Sequence, residues 1–185
     1  MEKIRIAILL GTTRTGRRSE NAAKLVKQVG DGIAEVEIKY VDPLEFSFPL
    51  DGNNPETQDA KYTEITRWAD AFFIVTPEYN HGYPGTLKRM LDTEYKNYFY
   101  KPTAIAGVSI GMFGGARCIE ALLPVLRELH LTPTDTDVNF AKITTIFDDS
   151  GKLLDDSYTK RVENSYRELI WLSRNMKNLR SDNSK

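Results

Sequence analysis

Residues 71–88 of the chain read AFFIVTPEYNHGYPGTLK. The first five, residues 71–75, are apolar and predict a buried strand. The segment that follows, residues 76–88, contains two prolines, two glycines and two tyrosines before a helical pattern resumes. Because Gly and Pro fix the shape of a backbone, this loop is predicted to be rigid. A rigid loop at the carboxyl end of a buried strand is where open α/β sheets bind ligands, and this one suits a flat ligand with polar edges.

The composition indicates an ordinary globular protein. The chain has 185 residues, of which 41% are hydrophobic and 28% are charged. We predict a single domain over residues 1–177 and a frayed tail over residues 178–185. The net charge of −1 gives no reason to expect nucleic acid or an anionic membrane as a partner. A lone cysteine, no apolar run near the roughly 18 residues that span a bilayer, and no signal-peptide pattern predict a cytoplasmic location without membrane insertion.

A second loop of interest, residues 11–21, reads GTTRTGRRSEN and lies between the first predicted strand and the first predicted helix. Helix N-termini bind phosphates, and the hydroxyls and arginines of this loop add donors. A nucleotide-hydrolase loop is excluded because Arg17 and Arg18 stand where that motif needs Lys and a hydroxyl. The pattern G-x-G-x-x-G is absent as well. We interpret Ser19 as the helix N-cap and the loop as a site for a terminal phosphomonoester, with a solvated basic loop that binds nothing as the open alternative.

The order of elements predicts the fold class. Strand patterns alternate with helical patterns about five times, which predicts a parallel sheet with helices on both faces. Together with a phosphate loop after the first strand, this predicts a flavodoxin-like three-layer sandwich with strand order 2-1-3-4-5. The predicted strands are Ile4–Leu10, Val36–Val41, Ala71–Val75, Thr103–Ile110 and a less regular Val138–Ile146.

A third loop follows the fourth predicted strand. Residues 109–117 read SIGMFGGAR, and glycines allow a backbone to approach a ligand closely. Because the carboxyl ends of parallel strands share one edge of the sheet, the three loops are expected to form one cleft. We expect a phosphate on the first loop and a planar ring on the other two.

With these three motifs, over residues 4 to about 130, the sequence resembles the NADPH-dependent FMN reductase family, which includes quinone, azo-dye and chromate reductases. The matching motifs are Gly11–Arg14, the strand-end loop Pro77–Lys88, and the turn Gly111–Gly115. The middle motif is the specific one. The chain departs from the family pattern at Asp92–Tyr100, which puts the substrate pocket and dimer contacts in question, and at Thr12, where Ser is commoner.

The resemblance implies non-covalent FMN, NAD(P)H as the electron donor, and a homodimer or homotetramer. It implies that the phosphate is held by Thr12, Arg14, Arg17 and Ser19. It further implies that the isoalloxazine ring is lined by Pro77, Glu78, Tyr79 and Asn80, with Ser109, Gly111 and Gly114 on its other edge. Our hypothesis is that NAD(P)H passes a hydride to flavin N5, and that a quinone, azo compound or free flavin then takes the electrons from the same face. No side chain is an obligatory catalytic group, and backbone N–H groups of residues 78–80 are expected to bond the ring edge.

A flavodoxin-type electron carrier is the alternative function. Its loop T-x-T-G-x-[ST] is nearly matched by residues 13–18, with Arg18 wrong. Such carriers are usually strongly acidic, so a net charge of −1 argues against it. Neither the electron acceptor nor the choice between NADPH and NADH follows from the sequence, although Arg14, Arg17 or Arg18 would favour a 2′-phosphate if it faced the cleft.

Several other residues attract attention without a predicted catalytic role. His81 is interpreted as a loop histidine with a local hydrogen bond, His130 as structural, and Cys118 as a buried inert thiol. Two distant histidines and one cysteine give no metal-site spacing. Two questions stay open: whether Tyr83 flanks the ring or packs, and whether the aromatic residues 95–100 are core or a dimer contact.

Overall fold

The structure is a computed structural model that describes residues 2–49 and 58–182. Its centre is a parallel sheet of six strands: β1 (Ile4–Leu10), β2 (Val36–Val41), β3 (Ala71–Pro77), β4 (Pro102–Val108), β5 (Thr132–Pro133) and β6 (Val138–Phe140). The strands lie in the order β2-β1-β3-β4-β5, and β6 also pairs with β4. The predicted order 2-1-3-4-5 is confirmed.

Helices cover both faces of the sheet. The helices are α1 (Ser19–Asp31), α2 (Ala60–Trp68), α3 (Gly85–Asp92), α4 (Ala116–Glu128), α5 (Ile143–Ile146) and α6 (Ser157–Asp182). Alternate residues of β1 point to opposite faces, so Ile6 and Ile8 pack with α1 and α6, while Ala7 and Leu9 pack with α2, α3 and α4. Strands β1, β3 and β4 are apolar on both faces for this reason. Among the described residues, no helix is long and apolar enough to cross a bilayer.

The edge of the sheet beyond β4 differs from the prediction. The region predicted as one strand, Val138–Ile146, is a strand only as far as Phe140. Strand β4 ends at Val108, which pairs with Phe140, so the residues after β6 have no neighbouring strand with which to pair. It turns at Lys142, in the left-handed conformation, and Ile143 N donates to the carbonyl of Ser109 at 3.0 Å. The result is the short helix α5, which lies against the loop that follows β4.

The last helix is longer than predicted. The helical pattern indicated an end near Met176 and a frayed tail from residue 178, but α6 continues to Asp182. Two side chains of this last part contact the amino end of the sheet: Lys177 Nζ lies 3.3 Å from Asp70 Oδ2, and Arg180 Nη1 donates to the Tyr100 carbonyl at 2.6 Å. These contacts hold the helix in place where no apolar face was predicted. Residues 183–185 of the predicted tail lie outside the described residues.

Lys101 lies half-buried in the same region, just before β4. Its Nζ donates to the Thr66 carbonyl at 2.7 Å. Burial lowers the pKa of Lys101, the charge of Arg180 adds to this shift and Asp70 and Glu94 oppose it, so that the pKa is about 8. Below pH 8 the folded protein therefore carries this ammonium at a cost in stability.

We expect Lys101→Met to raise the free energy of unfolding at pH 7 by about 1–2 kcal/mol, because the charged form is no longer buried. The folded pKa is about 8 and the unfolded one 10.5, so the cost to the native protein is relieved as the pH rises between these values. The advantage of the variant should therefore shrink by pH 10.5. Urea unfolding of both proteins at pH 7 and pH 10 measures this. An equal advantage at both pH values would contradict the argument.

Candidate functional site

Three loops meet at the carboxyl edge of the sheet, where β1, β3 and β4 end side by side. Backbone hydrogen bonds hold their first residues together: Gly11 N donates to the Val75 carbonyl and Glu78 N to the Val108 carbonyl, both at 2.8 Å. Between the loops lies an open cleft of about 370 Å³. The residues that line the cleft come from all three loops and from α5: Arg14, Thr15, Gly16, Arg17, Arg18, Ser19, Pro77, Glu78, Tyr79, Val108, Ser109, Ile110 and Ile143.

The first loop ends in an uncapped helix. Ser19 is the first residue of α1, and Arg18 occupies the N-cap position without a side-chain hydrogen bond to the helix. The prediction that Ser19 caps the helix is therefore wrong. Its side chain is buried instead, and Oγ has no hydrogen-bond partner among the described residues. An uncapped helix N-terminus beside an unsatisfied hydroxyl is an arrangement that suits an anion.

Thr12 and Arg14 join the first loop to the second. Thr12 is buried beneath the cleft, and its hydroxyl bonds the Tyr79 hydroxyl at 3.0 Å and accepts from Arg14 N at 3.2 Å. The Arg14 side chain is exposed, and its guanidinium lies 5.4 Å from the centre of the Tyr79 ring. Arg14 thus remains available to a ligand, whereas the Thr12 hydroxyl already has protein partners.

Arg17 lines the cleft but is tied to the protein. Its guanidinium donates to the Thr12 carbonyl at 2.8 Å and to the carboxylates of Asp42 and Glu20. Burial alone would lower the pKa of Arg17, but its bonds to Asp42 and Glu20 outweigh this and the pKa is raised. No sequence motif connects Asp42, which follows β2, with this loop.

The second loop contains a tight hairpin turn. Tyr79 and Gly82 exchange backbone hydrogen bonds of 2.8 and 3.0 Å, and the two residues between them, Asn80 and His81, have φ of 50° and 66°. Two left-handed residues in succession define a type I′ turn, a defined conformation that is consistent with the rigid loop we predicted. The N–H groups of Glu78 and Tyr79 both donate to backbone carbonyls, so of the residue 78–80 amides predicted to bond a ring edge, only that of Asn80 has no acceptor among the described residues.

An ion pair between a buried glutamate and an exposed arginine supports the wall of the cleft. Arg117, at the start of α4, approaches Glu78 Oε1 with Nε at 2.9 Å and Nη2 at 2.6 Å. The Glu78 side chain is 5% exposed, and its second oxygen, Oε2, is buried without a partner among the described residues. A free buried acceptor therefore belongs to the cleft.

The third loop lines the cleft with its first residues and not with its glycines. Ser109 and Ile110 line the cleft, whereas Gly111 and Gly114 do not. Gly114 packs against Asn139 of β6, so its predicted close approach is to the protein's own backbone. Beyond Ser109 the loop exposes three large apolar side chains: Ile110, Met112 and Phe113.

The structure thus brings seven of the predicted site residues to one cleft: Arg14, Arg17, Ser19, Pro77, Glu78, Tyr79 and Ser109. Thr12 lies directly beneath them, while Asn80, Gly111 and Gly114 lie outside the lining. Sequence reasoning missed Val108 and Ile143. Ile143 reaches the cleft only because α5 folds back over the third loop, and no motif in the sequence signals that.

The remaining candidates are accounted for by packing. Cys118 is fully buried as predicted, and burial raises the pKa of its thiol to about 12, which is consistent with the inert thiol that we expected. His81 is exposed at the turn, and its side chain makes no hydrogen bond within the described ranges, so the predicted local bond is not found. Tyr83 packs against the core and does not line the cleft. No group of three metal-ligating side chains occurs within residues 2–49 and 58–182.

The aromatic segment 95–100 divides into two parts, both before β4 and therefore away from the cleft. Tyr98 is core: it is fully buried, and its hydroxyl bonds that of Tyr62 at 2.7 Å. Tyr95 and Tyr100 are exposed, and with Phe99 they surround the ring of His130, whose centre lies 4.4 Å from that of Phe99. The structural role predicted for His130 is consistent with this cluster.

Comparison with known proteins agrees with this geometry. The family model described as NADPH-dependent FMN reductase matches residues 4–145. An NAD(P)H-dependent FMN reductase of Pseudomonas aeruginosa is 31% identical over 185 residues, which cover 94% of this chain and 97% of the relative. A quinone reductase of Escherichia coli strain K12 is 32% identical over 133 residues, which cover 68% of this chain and 70% of the relative.

A solved structure shares the fold. The flavoenzyme NAD(P)H:(acceptor) oxidoreductase from Paracoccus denitrificans matches with a TM-score of 0.73 and 19% identity, covering 92% of this chain and 98% of that one. The predicted flavodoxin-like architecture is thereby confirmed, and the family match covers far more than half of the sequence. The chain belongs to the NADPH-dependent FMN reductase family.

Proposed function

We propose that this protein is an FMN-dependent NAD(P)H oxidoreductase that reduces a small-molecule acceptor such as a quinone, and that FMN binds in the cleft between the three loops. One observation supports the site above all others: the Ser19 hydroxyl is buried and unpartnered at the uncapped N-terminus of α1. Buried polar groups in native proteins are almost always satisfied, so this hydroxyl is free to bond a ligand atom in the cleft that Ser19 lines. A phosphate oxygen is the acceptor that suits both the hydroxyl and the helix N-terminus.

The other side of the cleft suits the flavin ring. Glu78 Oε2 is a buried acceptor that has no partner in the part of the chain that the structure describes, and the isoalloxazine ring carries one N–H donor. The residues present therefore fit FMN at both ends: Ser19, Arg14 and Arg18 would hold the phosphate, and Glu78, Tyr79 and Ser109 would line the ring.

The bound cofactor supplies the redox chemistry, taking electrons from NAD(P)H and giving them to the acceptor. The chain positions the ring and shapes the surface above it. Ile110, which is 78% exposed, lines the cleft next to exposed Phe113, so apolar side chains stand where a nicotinamide or quinone ring would stack. Cys118 is fully buried and does not line the cleft, and burial raises the pKa of its thiol, so we assign it no part in the reaction.

The flavodoxin-type carrier is not favoured by the comparisons, and one experiment separates it from the enzyme. Purified protein is loaded with FMN, and the oxidation of NADPH and NADH is followed with a quinone, an azo dye or free FMN as acceptor. We expect steady-state turnover without a partner protein. Protein that binds no FMN at micromolar concentration would contradict the proposed cofactor, and flavin that is bound but not turned over by either nucleotide would favour the carrier.

Ser19→Ala tests the phosphate site. We expect about tenfold weaker FMN binding, because one hydrogen bond to a charged group is lost, and unchanged riboflavin binding, because riboflavin lacks the phosphate. The stability of the apoprotein should not fall, since the hydroxyl has no partner there. Flavin fluorescence titration and urea unfolding measure the two effects. A loss of about 1 kcal/mol of apoprotein stability would instead indicate that Ser19 caps the helix.

The oligomeric state and location remain proposals. We infer a homodimer or homotetramer, supported by the exposed apolar side chains of Ile110, Met112 and Phe113, and light scattering of the purified protein tests it. A cytoplasmic location is supported by the lone, reduced cysteine. For the nucleotide preference, Arg14 and Arg18 are the arginines at the cleft that have no carboxylate partner within residues 2–49 and 58–182.

A further inference from the structure

Arg17 and Asp42 form an ion pair that the sequence motifs do not predict. The Arg17 side chain is 6% exposed and that of Asp42 is 14% exposed. Asp42 follows the last residue of the edge strand β2, and its two oxygens have separate tasks. Oδ1 accepts from Leu44 N at 3.0 Å, which fixes the carboxylate on its own backbone, and Oδ2 accepts from Arg17 Nη2. The pair therefore connects the end of β2 with the loop between β1 and α1.

We propose that Asp42 and Arg17 act as a brace that positions the phosphate loop, and that Arg17 is a positioning residue rather than a phosphate ligand. The proposal rests on FMN binding in the cleft. Through Nη1 the guanidinium holds the Thr12 carbonyl at 2.8 Å, and the Thr12 hydroxyl in turn bonds Tyr79 and the backbone of Arg14. The brace thus sets the shape of the first loop, and with it the position of Arg14 at the phosphate end of the cleft.

Charge balance argues against a direct contact with phosphate. Arg17 is shared by two carboxylates, since Glu20 Oε2 lies 3.4 Å from Nε in addition to Asp42 at Nη2. Were the guanidinium to turn to a phosphate, it would leave the Asp42 carboxylate largely buried and unpaired next to a dianion. In the described part of the chain Arg14 and Arg18 have no such partner, and both are exposed at the cleft, so they can meet the ligand without that cost.

The test compares FMN with riboflavin, which has the same ring and no phosphate. Apoprotein is titrated with each flavin by fluorescence for four variants: Asp42→Asn, Arg17→Met, the double variant, and Tyr40→Phe. Asn at position 42 keeps the oxygen that accepts from Leu44 N but removes the charge that holds Arg17. Tyr40 is the matched control, because its hydroxyl is buried near the same charges without a hydrogen-bond partner and does not line the cleft.

We expect Asp42→Asn and Arg17→Met each to weaken FMN binding by about tenfold to a hundredfold, as expected for loss of a charge-assisted bond. The double variant should lose no more than either single one, because the two residues act as a unit. Riboflavin binding should be unchanged in all of them, and Tyr40→Phe should bind both flavins as the unaltered protein does.

The contrary results are distinct. If Arg17 is instead a phosphate ligand, Asp42→Asn frees its guanidinium, and FMN binding stays the same or tightens. Arg17→Met then still weakens FMN binding. This combination of results overturns the proposal. Equal losses for FMN and riboflavin would also overturn it, since they indicate general damage to the fold. If Asp42→Asn does not fold, Asp42→Ser, which also removes the charge, keeps Arg17 and has a hydroxyl that can accept from Leu44 N, decides in the same way. Failure of the unaltered protein to bind FMN would instead remove the proposed function itself.

Discussion

Gly114→Ala is expected to lower the free energy of unfolding by about 3 kcal/mol, whereas Gly111→Ala three residues away should cost less than about 0.5 kcal/mol. Both glycines were predicted from the sequence to let the third loop approach the cofactor. In the structure Gly114 packs closely against β6, whereas Gly111 does not, and the two substitutions test this difference.

The reason lies in the contacts that a methyl group would make. Gly114 has φ of +58°, and a Cβ there would stand 2.7 Å from Asn139 Cβ and 2.9 Å from Ala141 N. Those atoms belong to β6 and the turn after it, so relief requires the sheet edge and the entry to α4 to move apart. At Gly111 the nearest atom, Ser109 Oγ, is 3.9 Å away, and the methyl group meets open space.

Urea unfolding of the two variants, followed by circular dichroism, measures the difference, and FMN titration supplies the second readout. Gly111→Ala should bind FMN as the unaltered protein does, because the residue does not line the cleft. A stable Gly114→Ala variant, or a Gly111→Ala variant that folds but loses FMN, would restore the interpretation that these glycines serve the ligand.

The fold could be predicted because long periodic segments carry it. Strands β1, β3 and β4 are mostly apolar runs, and α1 and α4 have clear apolar faces, so the alternation of strands and helices could be predicted. The short elements β5 and α5 were not predicted. Two to four residues carry no period, and their conformation follows from the register with β4 and from the turn at Lys142.

The candidate site was predictable in position but not in detail. Because the ends of parallel strands meet at one edge of the sheet, the sequence alone predicted that Ser19, Glu78 and Ser109 lie close together. The motifs could not reveal partners from distant segments. Asp42 neutralises Arg17 and Arg117 binds Glu78, and both pairs depend on tertiary packing that no local pattern encodes.

Asp70→Asn is expected to lower the free energy of unfolding at pH 7 by about 2–3 kcal/mol, because it removes the one carboxylate on which several cations converge. The Asp70 side chain, which lies just before β3, is 5% exposed. Arg5 binds both of its oxygens, each at 3.1 Å, and Lys177 Nζ lies 3.3 Å away. Arg5 and Lys177 are themselves partly exposed, so water screens part of their repulsion once the carboxylate is gone.

The effect should depend on pH in a defined direction. Burial alone would raise the pKa of Asp70, but the hydrogen bonds from Arg5 outweigh it, and the pKa is held below its ordinary value of 3.8. A carboxyl whose folded pKa is depressed stabilises the protein above its unfolded pKa and loses that contribution as the pH falls through the folded value. The gap between Asp70→Asn and the unaltered protein should therefore be full at pH 7 and narrow in acid.

Glu35→Gln is the matched control, because it breaks the pair between Glu35 and Arg174, in which both side chains are 40% exposed or more. Such a pair contributes less than about 1 kcal/mol. Amide exchange adds a local readout: since Asp70 also lies near Lys177 and Arg180, its loss should speed exchange in the last turns of α6 and leave the first turns unchanged. If Asp70→Asn and Glu35→Gln lower the free energy of unfolding by the same amount, water screens the cations around Asp70 as well as it screens a surface ion pair. The length of α6 beyond Met176 would then need another cause.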